Sequence, residues 1–203
     1  MSGILKVGGS ELINDNGGSG SLQWGSSVPK GSVIEQFTSP CDGSSITVQS
    51  GTYAVGNVTG EQDFNDNYED VTGSAITYTP PTGTQTVIYS FNFHVSRNTA
   101  NNSLIGHFRL YIAGTEVVYA RHTIGDQSGY DERPTTMVWA FNIGGSANTN
   151  TGRQASWTSG KEIKLQARRY SSGHKLTLHE TYHFDGAPSA NLHVPIIGIT
   201  ALA

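Results

Sequence analysis

The chain has 203 residues, 14% of them charged, and a net charge of −4, enough length for one sizeable β domain with an appendage. The negative balance provides no basic footprint for neutralising phosphates, which argues against nucleic-acid binding, and the lone Cys41 leaves no intrachain disulfide. No apolar run reaches the roughly 18 residues that cross a bilayer, and the start Met1-Ser-Gly-Ile-Leu-Lys6 lacks the basic and apolar regions of a signal peptide.

The first pieces of apolar sequence are short. Ile4-Leu-Lys-Val7, Glu11-Leu-Ile13 and Leu22-Gln-Trp24 are separated by Gly8-Gly9 and by the turn-rich Asn14–Gly20. Three such strands cannot enclose a core, so residues 1–31 read as an N-terminal β arm that lies against something larger. Ile4, Leu5, Val7, Leu22 and Trp24 carry its apolar surface and are the candidate assembly residues. Pro29-Lys-Gly31 reads as a hinge, and residues 32–203 as the main domain.

The main domain alternates apolar and polar residues with a period of two, the mark of a pleated sheet with one buried face. The spacing predicts strands over Val33–Phe37, Ser45–Val48, Gly51–Val55, Ala75–Thr79, Thr86–Val95, Gly106–Ile112, Glu116–His122, Thr136–Ile143, Glu162–Tyr170, Lys175–Phe184 and Val194–Ala203. Thr86–Val95 is the clearest, with Val87, Tyr89, Phe91, Phe93 and Val95 on one side. Ala113-Gly114 and Ser171–His174 read as hairpin turns. Regular short strands with polar turns argue for an all-β sandwich, jelly roll or barrel. The nearly wholly apolar Ile196–Ala203 is expected to be a strand buried on both faces, central in a sheet or against a subunit interface.

Candidate sites are few. His179 and His183 fall on the predicted strand Lys175–Phe184, where residues four apart lie about 13 Å from each other, too far to share a metal. They read as polar outer-face residues, and no metal site is expected. Residues 61–70 concentrate Asp63, Asp66, Glu69 and Asp70, oxygen donors of the kind calcium takes, but without the glycine and bidentate glutamate of the helix-loop-helix calcium motif. No nucleophile elbow, phosphate-cradling loop or H-E-x-x-H motif occurs, so neither catalytic residues nor a cofactor are expected. Trp24, Tyr53, Tyr68, Tyr130 and Trp157 sit in or beside predicted loops, where exposed rings stack on sugars or pack at subunit contacts. Tyr68, Tyr130 and Trp157 are the candidate ligand-binding residues.

Four segments carry a resemblance: Gly31–Gly43, Thr77–Gly83, Glu116–His122 and Gly144–Trp157, with Leu5–Leu12 and Leu22–Gly25 ahead of them. Together they resemble virion proteins of tailed phages and of large viruses from aquatic environments. The resemblance implies a jelly-roll β-sandwich related in shape to the C1q and tumour-necrosis-factor heads, preceded by an arm. It implies a homotrimer, contacts with other capsid or tail proteins, residence in the virion after assembly in the host cytoplasm, and no catalytic residue. A surface knob of this kind serves as decoration, cement, fibre or spike. A carbohydrate- or receptor-binding module for host attachment is the alternative reading.

Overall fold

The computed structural model describes residues 4–7, 9–14, 23–24, 28–97, 103–126, 132–184 and 191–203. In the arm, β1 (Ile4–Val7) pairs with β2 (Ser10–Asn14), and β3 (Gln23–Trp24) pairs with β2. These three form a sheet of their own. Ile4 and Leu5 are exposed in it. Val7 and Trp24 lie on its strands with their side chains outside the description, and Leu22 lies outside the described residues.

The main domain continues with β4 (Val33–Pro40), β5 (Ser45–Val48), β6 (Gly51–Ala54), β7 (Gln62–Asp63), β8 (Glu69–Asp70), β9 (Ile76–Tyr78), β10 (Thr86–Ser96) and β11 (Ser103–Ile112). Then come β12 (Thr115–Glu116), a 3-10 turn at Val118–Ala120, β13 (His122–Asp126), β14 (Glu132–Asn142) and β15 (Lys161–Arg169). β16 (His174–Lys175), β17 (Thr177–Leu178), β18 (Glu180–Thr181), β19 (Asn191–Leu192) and β20 (Ile196–Leu202) complete it.

Sheet one runs β4–β20–β10–β14; β17 takes over from β20 along the same edge of β10, and β7 pairs with β17. Sheet two has β11 at its centre. β12 and β13 lie on one side of it, β15 and β16 on the other, and β8 and β9 lie beyond β15. The chain crosses between sheets at almost every step: β4 to β8–β9, back to β10, over to β11–β13, back to β14, over to β15, and home to β20. This order makes the sandwich a jelly roll.

Alternation supplies the core. Val87, Tyr89, Phe91, Phe93 and Val95 of β10 face Leu104, Phe108, Leu110 and Ile112 of β11 and Ile163, Leu165 and Ala167 of β15, all buried. Phe93 and Phe108 meet with ring centroids 5.5 Å apart. Each of the Val, Leu, Ile and Phe side chains contributes about 1.5–3 kcal/mol by leaving water.

Several sequence expectations are corrected. Glu116–His122 is not one strand: after β12 the chain takes the 3-10 turn, which brings both Val117 and Ala120 inward, three residues apart. Lys175–Phe184 breaks at His179, whose φ of 68° ends the pleat between β17 and β18. Ser171–His174 does turn, with the His174 N–H donating to Ser171 O, but it is no hairpin, because β16 pairs with β11 in parallel and not with β15. β20 is central, between β4 and β10, and its inner face, Ile197, Ile199 and Ala201, is covered, but its outer face is covered only in part: Gly198 is buried while Ile196 is 40% exposed.

Candidate functional site

The aromatic candidates scatter. Trp157 is a core residue: its ring lies edge-on to Tyr78 and Phe141, and its Nε1–H donates to Tyr78 O at 2.9 Å. No face of that indole is open to a sugar. Tyr53 is likewise buried, stacked on Phe37, with its hydroxyl donating to Thr79 O. Tyr130 lies outside the described residues. Tyr68 reaches the outer face of sheet two, where the Arg109 guanidinium sits 3.8 Å over its ring and that of Arg168 lies 5.3 Å away. Its ring seats arginines and is not a free stacking platform.

The two outer faces differ in kind. On sheet two, register rows such as Arg109–Gln166–Asp70 and Tyr111–Lys164 carry charge, and the charges are paired. Lys164 reaches Asp70 at 2.7 Å, Arg121 reaches Glu116 at 2.7 Å, and Arg109 stands 3.5 Å from the same carboxylate. Burial, then the Arg168 and Arg109 charges, hold His107 below the usual imidazole range. This is a solvated, ion-paired face. On sheet one the outward rows are Gln36–Thr200–Ile88–Ala140, Thr38–Gly198–Ser90–Val138 and Pro40–Ile196–Asn92–Thr136. None of these residues is charged, and Val138 is 54% exposed.

The acidic stretch 61–70 spends its carboxylates separately. Asp63 meets Lys175 and Thr177, Asp66 meets Arg169 at 2.7 Å, Glu69 meets Asn65, and Asp70 meets Lys164 and Gln166. They diverge to different partners, and among the described residues no group of three acidic, histidine or cysteine side chains is placed to hold a metal.

One end of the sandwich holds a built cavity. Val33, Leu202, Thr86 and Asn142 are register partners, so the chain enters and leaves the sandwich at this end. Here the turn Ala113-Gly114, with φ of 49° and 76°, closes β11 onto β12, as its sequence indicates. Opposite it, residues 144–154 fold back on themselves through the bridges Ile143–Gln154 and Asn148–Arg153. Asn148 Oδ1 accepts from the N–H groups of Asn150 and Thr151, and Trp139 Nε1–H donates to Thr151 O at 3.0 Å. Gly152, at φ 72°, lies so close to the core that a Cβ there would sit 2.9 Å from the Phe141 ring. Between turn and loop lies a cavity of about 200 Å³, lined by Ile112, Ala113, Thr115, Asn148, Thr149, Arg153 and Gln154. Tyr119, 67% exposed, is tied to the same loop by its N–H donating to Asn150 O. A wider cleft of about 320 Å³ between β6 and β9 is lined by Thr52, Tyr53, Ala54, Ala75, Ile76 and Thr77, without any charged group.

The opposite end buries ionisable groups. His94 Nδ1 and Glu180 O lie 2.6 Å apart, and the His94 and His193 rings are 5.3 Å apart. His179 and Glu180 are both fully buried. Neither His179 ring nitrogen and neither Glu180 carboxylate oxygen makes a well-formed hydrogen bond. Burial drives His179 down to about 4 and, with the Glu61 carboxylate beside it, Glu180 up to about 8.

Sequence reasoning missed Arg153, Asn148 and Tyr119. For Asn148 and Arg153 the only signal was the polar run Gly144–Gln154 itself, and the facing turn that makes a cavity of it is some 30 residues earlier; Tyr119 was hidden in an expected strand.

No family model matches the chain, and no curated protein matches it. Among solved structures it is similar to the C-terminal domain of EclA, a sugar-binding protein, at 12% identity and a TM-score of 0.34, over 60% of this chain and 76% of that one. It is also similar to a structure of infectious bursal disease virus, Gx strain, at 10% identity and a TM-score of 0.34, over 90% of this chain and 39% of that one. Likenesses this distant carry no functional argument, and the jelly-roll assignment rests on the strand order.

Proposed function

We propose that this chain is a non-enzymatic virion structural protein, a jelly-roll knob mounted on capsid or tail that trimerises through the outer face of sheet one. The uncharged outer face carries the reading. Twelve outward positions in the three middle rows without a single charge, in a protein whose other sheet face is laced with ion pairs, suit burial against further copies. A contact around a symmetry axis brings like residues close, and a face without charge meets no self-repulsion there. The arm, with Ile4 and Leu5 exposed, supplies a second apolar surface for gripping the particle. Sedimentation of the purified chain tests the assembly: a trimer is expected, and Val138→Arg should dissociate it. A monomeric wild-type protein overturns the trimer. Quantitative mass spectrometry of purified virions then gives the role. Copy number near that of the shell protein makes the knob a decoration or cement, a small number makes it a fibre or spike, and absence overturns the virion assignment.

A second reading, a carbohydrate- or receptor-binding module, is favoured by the cavity between the Ala113-Gly114 turn and residues 144–154, because its walls are fixed before any ligand arrives.

A further inference from the structure

We infer that this end cavity is a binding site for an acidic saccharide, with Arg153 receiving the sugar carboxylate; the inference rests on the second, carbohydrate-binding reading. Arg109, Arg121 and Arg169 pair with carboxylates, and Arg133 and Arg168 donate to backbone carbonyls. Arg153 does neither: among the described residues its guanidinium has no ion pair and no hydrogen bond, although it lines the cavity. A planar fork of unused N–H donors is matched by a carboxylate, which takes two parallel bonds from it.

The other walls narrow the ligand. No acidic side chain lines the cavity, so nothing inside repels an anion. Asn148 has its Oδ1 occupied by two backbone N–H groups, which leaves its NH₂ as a further donor. Gln154 has the reverse: its Nε2–H donates to Gly152 O, leaving Oε1 to accept from a hydroxyl. Thr115 and Thr149 add hydroxyls that serve either way, and Ala113 and Ala147 provide a small apolar patch for the C–H face of a ring. A carboxylate, several hydroxyls and one apolar face describe one unit of a sialylated or uronic-acid glycan. The volume, about 200 Å³, suits a single sugar ring and not a drug-sized ligand. A lone guanidinium without clustered lysines does not suit a polyphosphate.

The test uses the full chain with sialyllactose and trigalacturonate as acidic probes and lactose and galactotriose as neutral ones. Titration calorimetry and ligand-observed NMR at low salt report the binding. Both acidic probes, or one of them, should bind at least about tenfold more tightly than the neutral counterpart. Arg153→Gln should weaken that binding by about 10- to 100-fold, the range for losing a charged hydrogen-bond partner. Arg153→Lys should recover only part of it, and the Asn148 side-chain amide should shift on binding. Near-ultraviolet circular dichroism of each variant checks the fold. Neutral probes bound as well as acidic ones, with Arg153→Gln silent, would overturn the acidic site and leave carbohydrate binding standing. No binding of any sugar would overturn both.

Discussion

Replacing Glu180 with glutamine should stabilise the protein, by an amount that grows with pH. The side chain is fully buried, and neither of its oxygens is well bonded. Burial first, and then the Glu61 carboxylate, raise it from 4.5 to about 8. In the unfolded chain the group ionises near its ordinary value, while the native protein keeps the proton. Stability therefore falls as pH rises from about 4.5, by about 1.4 kcal/mol per unit, and levels off above the native value. At pH 7 the deficit is on the order of 3 kcal/mol. Glutamine has the same shape and no proton to lose, so its profile lacks this slope. Urea unfolding followed by tryptophan fluorescence at pH 5, 6, 7 and 8 reads the difference. The two proteins should agree within about 1 kcal/mol at pH 5 and diverge by on the order of 3–5 kcal/mol at pH 8. The other ionisable groups around this corner, His94, His179, His193, Glu61, Asp63 and Glu132, are present in both proteins, so the comparison isolates the carboxyl of residue 180. Parallel profiles across the whole range would refute the reasoning.

His179 acts in the opposite direction: with its native value near 4, the unfolded state takes up a proton below about 6.5 that the native state refuses. Stability drains away between pH 6.5 and 4, and His179→Asn, which tolerates the φ of 68°, should flatten that limb in thermal melts. Gly56→Ala should cost about 1–3 kcal/mol in urea, because its Cβ would lie 2.7 Å from the Gly73 Cα, a backbone atom that cannot swing aside. Trp157→Phe should cost about 1–3 kcal/mol by stranding the buried Tyr78 carbonyl, and should leave sugar binding unchanged, since the indole meets no solvent.

How much of this was legible follows from the range of each signal. The period-two pattern of Thr86–Val95 became β10 in full, because alternation is local and the backbone translates it directly into one buried face. The Ala113-Gly114 turn was equally plain. The crossing order of the sheets was not, since it depends on pairings such as β20 with β4 that span most of the chain. Trp157 looked like a loop residue because its Ser- and Thr-rich neighbours show no alternation; what buries it is Tyr78, 79 residues away. The break at His179 is a positive φ on a residue other than glycine, for which sequence holds no sign. Arg153 counted in the sequence as one charge among many. It becomes a candidate only when Arg109, Arg121, Arg133, Arg168 and Arg169 are seen to have partners of their own and Arg153 is seen to line the cavity.

The arm joins the sandwich at the end that holds the cavity, and this decides how the two functional readings combine. Val33, where the chain leaves the arm, pairs with Leu202 at the same end as Asn142, which leads into the 144–154 loop. If the knob met the particle end-on through that end, the cavity would be buried and its ligand would be excluded. The uncharged rows of sheet one run along the flank, at right angles to that end. Trimer contact through the flank leaves both ends in solvent, so a knob tethered by its arm and not docked end-on keeps its sugar site open. Intact virions should therefore bind the preferred acidic probe in proportion to the copies of this chain that they carry, with the affinity of the isolated protein. Virions that bind none, when the isolated protein binds well, would show that the cavity end is docked against the particle, and the open-site reading of the assembled knob would have to be given up.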